Sequence, residues 1–322
     1  MRIEFVPKNY TPIEQGLLFG FTTESDEPTD VTVEIIDAAS GEVVATQQLL
    51  QVVSGVVNIA PYVERFSERE PLTASVAISS LAEAESARYK IRIGDVESQE
   101  VVVSPVRCEV EAPALITEMP TRRRVTRGDC DELLFMVGEA TDVEVAIVPN
   151  SGTALHLSMP NAQGVIRLVV ATGAFEKATL LTVRISLDGE VWSEIEYDVR
   201  HTRKHALRMV WESACGSFER YTFLSAYAVR REVEKQRVGN GKNLDTVSAI
   251  ASESLKVMSN YEPQGLVATL SDIIAAPRVW IESKDGLERV DVLTTEVGYS
   301  LFEDPDYVEL ELRREKRRLS LW

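Results

Sequence analysis

Apolar and polar positions alternate with a period of two over much of the chain, most plainly at Val31, Val33 and Ile35 in TDVTVEIIDAASG (29–41) and at Val143, Val145 and Ile147 in TDVEVAIVPNSG (141–152). That period sends successive side chains to opposite faces, so each segment predicts a strand with one face in a core and the other in water. Turn signals, Ala-Ser-Gly at 39–41 and Asn-Ser-Gly at 150–152, follow both, and new strands start at Glu42 and Thr153, giving a hairpin in each place. The two segments are also alike in sequence. Upstream, LLF at 17–19 matches LLF at 133–135; downstream, GVVNI from Gly55 matches GVIRL from Gly164, and LTASVAI from Leu72 answers LTVRI from Leu181. Four blocks in one order, 109 to 116 residues apart, indicate an internal duplication of about one domain length.

Several short strands per hundred residues, separated by regular turns, predict antiparallel sheets in an immunoglobulin-like β-sandwich. The expected boundary falls near SPVRCEVEAP (104–113), giving one sandwich over 1–107 and a second over 108–205. The last third, 206–322, reads differently. Strands are expected at MVW and in WESACGSFERYTF, and a long polar ribbon through AVRREVEKQRVG into a turn at 240–242. One helix is expected in YEPQGLVATLSDIIAAP: Pro263 stands near its start, Leu266, Leu270, Ile273 and Ile274 share a face, and Pro277 ends it. RVWIES and LERVDVL flank the hairpin signal Lys-Asp-Gly, and YVELELRR forms a last strand with Val308, Leu310 and Leu312 on one face. The fold class expected is mainly β: two tandem immunoglobulin-like β-sandwiches followed by an α+β domain with an antiparallel sheet and one main helix.

Composition narrows the function classes. With 322 residues, 44% hydrophobic and 26% charged, the chain has the make-up of an ordinary soluble protein, and no apolar run is long enough to cross a bilayer, so no membrane is expected as partner. A net charge of −17 opposes nucleic-acid binding. The basic runs TRRRVTR (121–127) and RREKRR (313–318) are short and lack interleaved aromatics, and are expected to be solvated loops or protein contacts. Glu4, Pro7 and Lys8 interrupt the amino terminus, which offers no secretory h-region, so a cytoplasmic location is expected. Cys108, Cys130 and Cys215 are odd in number and lack C-x-x-C spacing, which argues against a disulfide framework and against zinc; buried or incidental thiols are expected.

No catalytic signature stands out. His156, His201 and His205 lack metal-ligand spacing, and there is no nucleophile elbow, phosphate loop or H-E-x-x-H. The pairs Asp129 with Asp131 and Asp304 with Asp306 lack the ligand series of a calcium loop and are expected to be solvated. No enzyme, cofactor or metal is therefore expected. The dense aromatic segment raises a different possibility. Trp211, Phe218, Tyr221 and Phe223 fall on both faces of a hairpin bent at Gly216, as a core seed or as anchors between subunits. Leu319, Leu321 and Trp322 follow the last basic run as an apolar tip, completing the candidate interface residues. Tyr62 and Trp192 are modest candidates for a glycan or receptor contact on the sandwiches.

The aromatic segment resembles a pattern of structural, tail- or virion-associated proteins of tailed phages and prophages of Bacteroides-type bacteria, roughly W-x-N-x-x-G-G-F-E-x-Y-T-F. Trp211, Gly216, Phe218, Glu219, Tyr221, Thr222 and Phe223 match it; Ser213 replaces the Asn and Ser217 the second Gly. The similarity continues through Tyr261 and IIAAPRVW (273–280), covering the carboxy-terminal third. The resemblance implies a virion or tail component, assembled in the cytoplasm, whose partners are copies of itself or other virion proteins, and it brings no catalytic residues.

Overall fold

A computed structural model describes residues 1–63, 69–72, 75–81, 88–104, 106–201, 204–239, 244–283, 286–300, 305–314 and 317–319. The chain is mainly β, with 60% of residues in strands and 7% in helices, and the described strands form four sheets.

The first region holds β1 (Arg2–Phe5), β2 (Leu18–Thr22), β3 (Thr29–Asp37), β4 (Val43–Val52), β5 (Ser54–Asn58), a short helix α1 (Ala60–Val63), β6 (Ala77–Ser80), β7 (Arg88–Ile93), β8 (Val96–Glu97) and β9 (Val101–Val102). One sheet runs β1-β2-β5, the other β4-β3-β7-β8 with β9 on β7. Phe19, Phe21, Val33, Ile35, Val57 and Ile91 from both sheets are buried in one core. Asp37 closes the β3–β4 turn by accepting the Ala39 N–H and the Ser40 hydroxyl, as the Asp-x-x-Ser-Gly sequence favours.

The second region holds β10 (Ala114–Ile116), β11 (Arg122–Thr126), β12 (Cys130–Pro149), β13 (Leu155–Ala171), β14 (Leu180–Leu187) and β15 (Glu190–Arg200). Here β12 and β13 make one long hairpin whose first and second halves do the work of separate strands in the first region. Phe21 opposite Gly55 corresponds to Val137 opposite Gly164, Phe19 opposite Val57 to Phe135 opposite Ile166, and Thr29 opposite Val52 to Thr141 opposite Ala162. The glycine at 55 has a packing reason: a Cβ there would lie 2.8 Å from the Phe21 ring.

The fourth block of the duplication is corrected. LTVRI lies in β14, paired with β12, and the equivalent place beside β3 is taken by β7, RYKIRI, so that Val33 opposite Ile93 answers Val145 opposite Ile185. The LTASVAI segment instead supplies β6, which leaves the first region and pairs with β13 of the second, Ala77 opposite Val169 to Ser80 opposite Ile166. Short apolar strands resemble one another too closely for pattern alone to choose between them. The expectation of purely antiparallel sheets also needs amendment: β11 pairs with β15 in parallel, Arg122 opposite Glu196 to Thr126 opposite Arg200.

The third region holds β16 (Leu207–Glu212), β17 (Phe218–Phe223), β18 (Ser225–Gly239), β19 (Leu244–Met258), α2 (Gln264–Ser271), β20 (Val279–Ser283), β21 (Gly286–Val292), β22 (Glu309–Arg314) and β23 (Arg317–Leu319). Its sheet runs β17-β16-β20-β21-β22-β19-β18, with β23 on β19. Pro263 stands immediately before α2, and a 3-10 turn, Asp272–Ala275, carries it toward Pro277. Leu266, Val267, Leu270 and Ile273 bury the helix against Trp211, Val257, Val308, Leu310 and Leu312. Val267 takes the place expected for Ile274, which is only partly buried.

Candidate functional site

The aromatic hairpin β16–β17 is enclosed on both faces. Met209, Trp211, Tyr221 and Phe223 pack under α2, while Phe218 turns the other way onto Val210 and Trp280, with ring centroids 5.7 Å apart and edge to face. Gly216 takes a positive φ of 84° at the bend, a conformation that favours glycine. Trp211, Phe218, Tyr221 and Phe223 are thus buried within their own chain, where the sequence left open a core seed or anchors between subunits. Leu319 lies in β23, whose backbone pairs with Ala249 to Ala251 of the same chain. Leu321 and Trp322 lie outside the described residues.

What the hairpin meets on its other face is charged. Cys130, Asp131 and Glu132 open β12, and Arg208 and Arg220 reach them from β16 and β17. Arg208 donates to the Cys130 carbonyl at 2.5 Å and to Thr222 at 2.9 Å, and stands 3.2 Å from Asp129 Oδ2. Arg220 Nη1 donates to Cys130 Sγ at 2.6 Å and to Glu282 at 3.3 Å, and Nη2 donates to the Leu72 carbonyl. From β11, Arg123 donates to Asp131 Oδ2 at 2.7 Å and to Thr117 at 2.7 Å; the Tyr197 hydroxyl donates to the same carboxylate oxygen at 2.9 Å. Glu219 accepts from Ser217, Thr117 and the Glu118 N–H. Farther out, Glu262 accepts from both Tyr221 and Arg124 at 2.8 and 3.0 Å, and Glu212 is bridged by Arg107 and Arg278.

These contacts join the second region to the third, and a covalent bond completes them. Cys108 and Cys215 form a disulfide, Cα atoms 4.7 Å apart, which corrects the expectation of three incidental thiols. Two cysteines 107 residues apart are brought together only by docking of the two regions. The Arg107 N–H donates to the Cys215 carbonyl beside the bond, and Arg69 donates to the Gly216 carbonyl. Two further expectations fall here: TRRRVTR is mostly strand, with Arg123 buried, and Asp131 is buried rather than solvated. Asp304 lies outside the described residues, and Asp306 accepts the Ser300 and Tyr307 N–H groups.

Burial and pairing split the acids. Desolvation alone would raise Asp131, but Arg123, Arg208, Arg220 and the Tyr197 hydroxyl together hold it below the usual aspartate range. Glu132 goes the other way. Burial pushes it up because Arg220 Nη2 is 3.8 Å away, too far for a hydrogen bond, and Oε1 has no partner among the described residues. Glu219 is likewise raised by burial against the pull of Arg123. Burial raises the Cys130 thiol as well, which keeps it protonated and a poor nucleophile. Among the described residues, no three His, Cys, Asp or Glu side chains gather as a metal site. A cleft of about 510 Å³ opens beside the joint, lined by Arg124, Arg200, His201, Tyr221, Thr222 and Asn260; Arg124 is engaged by Glu262 and Arg200 by Asp198. Tyr62 and Trp192 are partly buried, Trp192 against Phe135.

No protein-family model and no curated protein matches the chain. Among solved structures, the FN1–FN3 domains of chicken CNTN1 match at 11% identity and a TM-score of 0.21, covering 79% of this chain and 91% of that one. Dpr2 Ig1–Ig2 in complex with DIP-Theta Ig1–Ig3 matches at 8% identity and 0.21, covering 98% and 90%. Domains 4–9 of the surface layer protein SbsC match at 12% and 0.22, covering 88% and 53%. Scores this low carry no argument about arrangement or function. Among the described residues, no helix is long and apolar enough to cross a membrane.

Proposed function

We propose that the chain is a non-enzymatic structural protein, a virion or tail-associated component of the kind its aromatic segment resembles, which assembles with copies of itself or with other particle proteins. Two immunoglobulin-like sandwiches would form an arm on a carboxy-terminal docking domain. The observation that supports this is the joint: buried acids and arginines pair with one another and with backbone between the second and third regions, a fastening suited to a structural part. The disulfide agrees with such a life, since disulfides persist on virion and cell surfaces; cytoplasmic assembly would then precede its closure.

A sedimentation-velocity series of the pure chain, alone and mixed with the products of neighbouring genes, tests the proposal. Concentration-dependent growth into a discrete species is expected. A chain that stays monomeric alone and in every mixture would overturn it. A second reading, a carbohydrate- or receptor-binding module, rests on one exposed aromatic pair, Tyr261 with Tyr307, ring centroids 5.3 Å apart; Tyr261→Ala with Tyr307→Ala should abolish glycan-array binding if that reading holds.

A further inference from the structure

β18 is the last strand of its sheet, and its outer edge pairs with no other described strand. It is long, 15 residues, and every residue from Val229 to Gly239 is exposed; Val229 is 63% exposed and Val233 38%. Beyond the sheet the ribbon has, among the described residues, only β19 and the short β23 beside it, and narrow ribbons of this kind are marginal in water unless something covers them. An exposed edge of this length offers a row of backbone donors and acceptors ready for strand addition, which charged residues only partly discourage.

We infer that the edge is covered by the β18 of a second copy, the two strands running antiparallel about a two-fold axis at Arg231. This rests on the proposed self-assembly and names its surface. The segment Ala228 to Glu234 carries two arginines and two glutamates and so no net charge, on a chain whose overall charge is −17. Net repulsion between copies is therefore small there. With Arg231 on the axis, Arg230 of each copy stands opposite Glu232 of the other, and Val229 opposite Val233, so the exposed valines cover one another. The one like-charged pair is Arg231 with itself, and each Arg231 is already bridged to its own Glu253 at 2.9 Å. Moving the register by two residues loses this match. An axis at Val233 sets Arg231 against Lys235 and Glu232 against Glu234; an axis at Glu232 sets Val229 against Lys235. The arrangement at Arg231 is isologous and closes as a dimer, with both sheets joined into one.

The axis gives a direct test. Residue 231 is the one position that faces its own copy, with Cβ atoms about 4.5–5.5 Å apart, so Arg231→Cys should yield a covalent dimer on mild oxidation, and Arg237→Cys should not. In the otherwise native chain, Arg230→Glu and Glu232→Arg should each weaken dimerisation by about tenfold or more, and the double exchange should restore it, while melting of the dilute protein stays similar in all three. Association that persists with no 231 crosslink and no charge rescue overturns the strand pairing and leaves self-assembly standing. No association at any concentration overturns both.

Discussion

At the scale of residues, the joint shows why a buried charge has to be read with its partners. Asp131 and Glu132 are adjacent and both buried, yet their titrations are driven apart, Asp131 down by three arginines and Glu132 up by desolvation. Asp131→Asn should cost on the order of 3 kcal/mol at neutral pH, because it leaves Arg123 buried with a weaker acceptor. The sign follows from linkage. A depressed folded pKa means that the unfolded chain binds the extra proton, so the Asp131 contribution is full above the ordinary aspartate range and is lost as pH falls through the lowered folded value. The gap between wild type and Asp131→Asn in chemical denaturation should therefore shrink on acidification. Glu132→Gln should be close to neutral at acid pH and become relatively stabilising as pH rises through the raised folded value; a large loss at neutral pH would contradict the assignment. None of this was readable from sequence. Asp129 and Asp131 look like loop acids there, and only the arginines arriving from β11, β16 and β17 show otherwise.

At the scale of elements, much was readable. The period of two at Val31, Val33 and Ile35 and at Val143, Val145 and Ile147, the proline-bounded helix and the apolar face Val308, Leu310 and Leu312 all follow from local pattern. Pattern failed where two strands could fill one slot: nothing local distinguishes LTASVAI from RYKIRI as the neighbour of β3, and β6 crosses to the second region because the edge of β13 was open to it. The parallel β11–β15 pair was hidden for the same reason, since alternation gives faces and not neighbours. The helix supplies the check at this scale. Leu270, buried among Trp211, Val308 and Leu310, should cost about 2–5 kcal/mol when cut to Ala, read as a lower denaturation midpoint.

At the scale of the whole molecule, the bond between the second and third regions was not legible in the sequence, where Cys108 and Cys215 stand far apart without a pairing pattern. The disulfide closes a loop of 107 residues, for which chain entropy suggests a contribution of about 5 kcal/mol, so Cys215→Ser should lower the melting temperature clearly, and reductant should do the same to the wild type but not to the variant. The central claim is that the buried ionic joint fastens the carboxy-terminal sheet to the sheet of the second region. Native-state hydrogen exchange tests it most directly, comparing the amides that open β12 with those of β17 in the wild type and in Asp131→Ala under reducing conditions. Matched protection of the two strands in the wild type, lost from both together in the variant, is the expected result; β17 keeping its full protection while the start of β12 opens would show that the two regions stand independently and would contradict the claim.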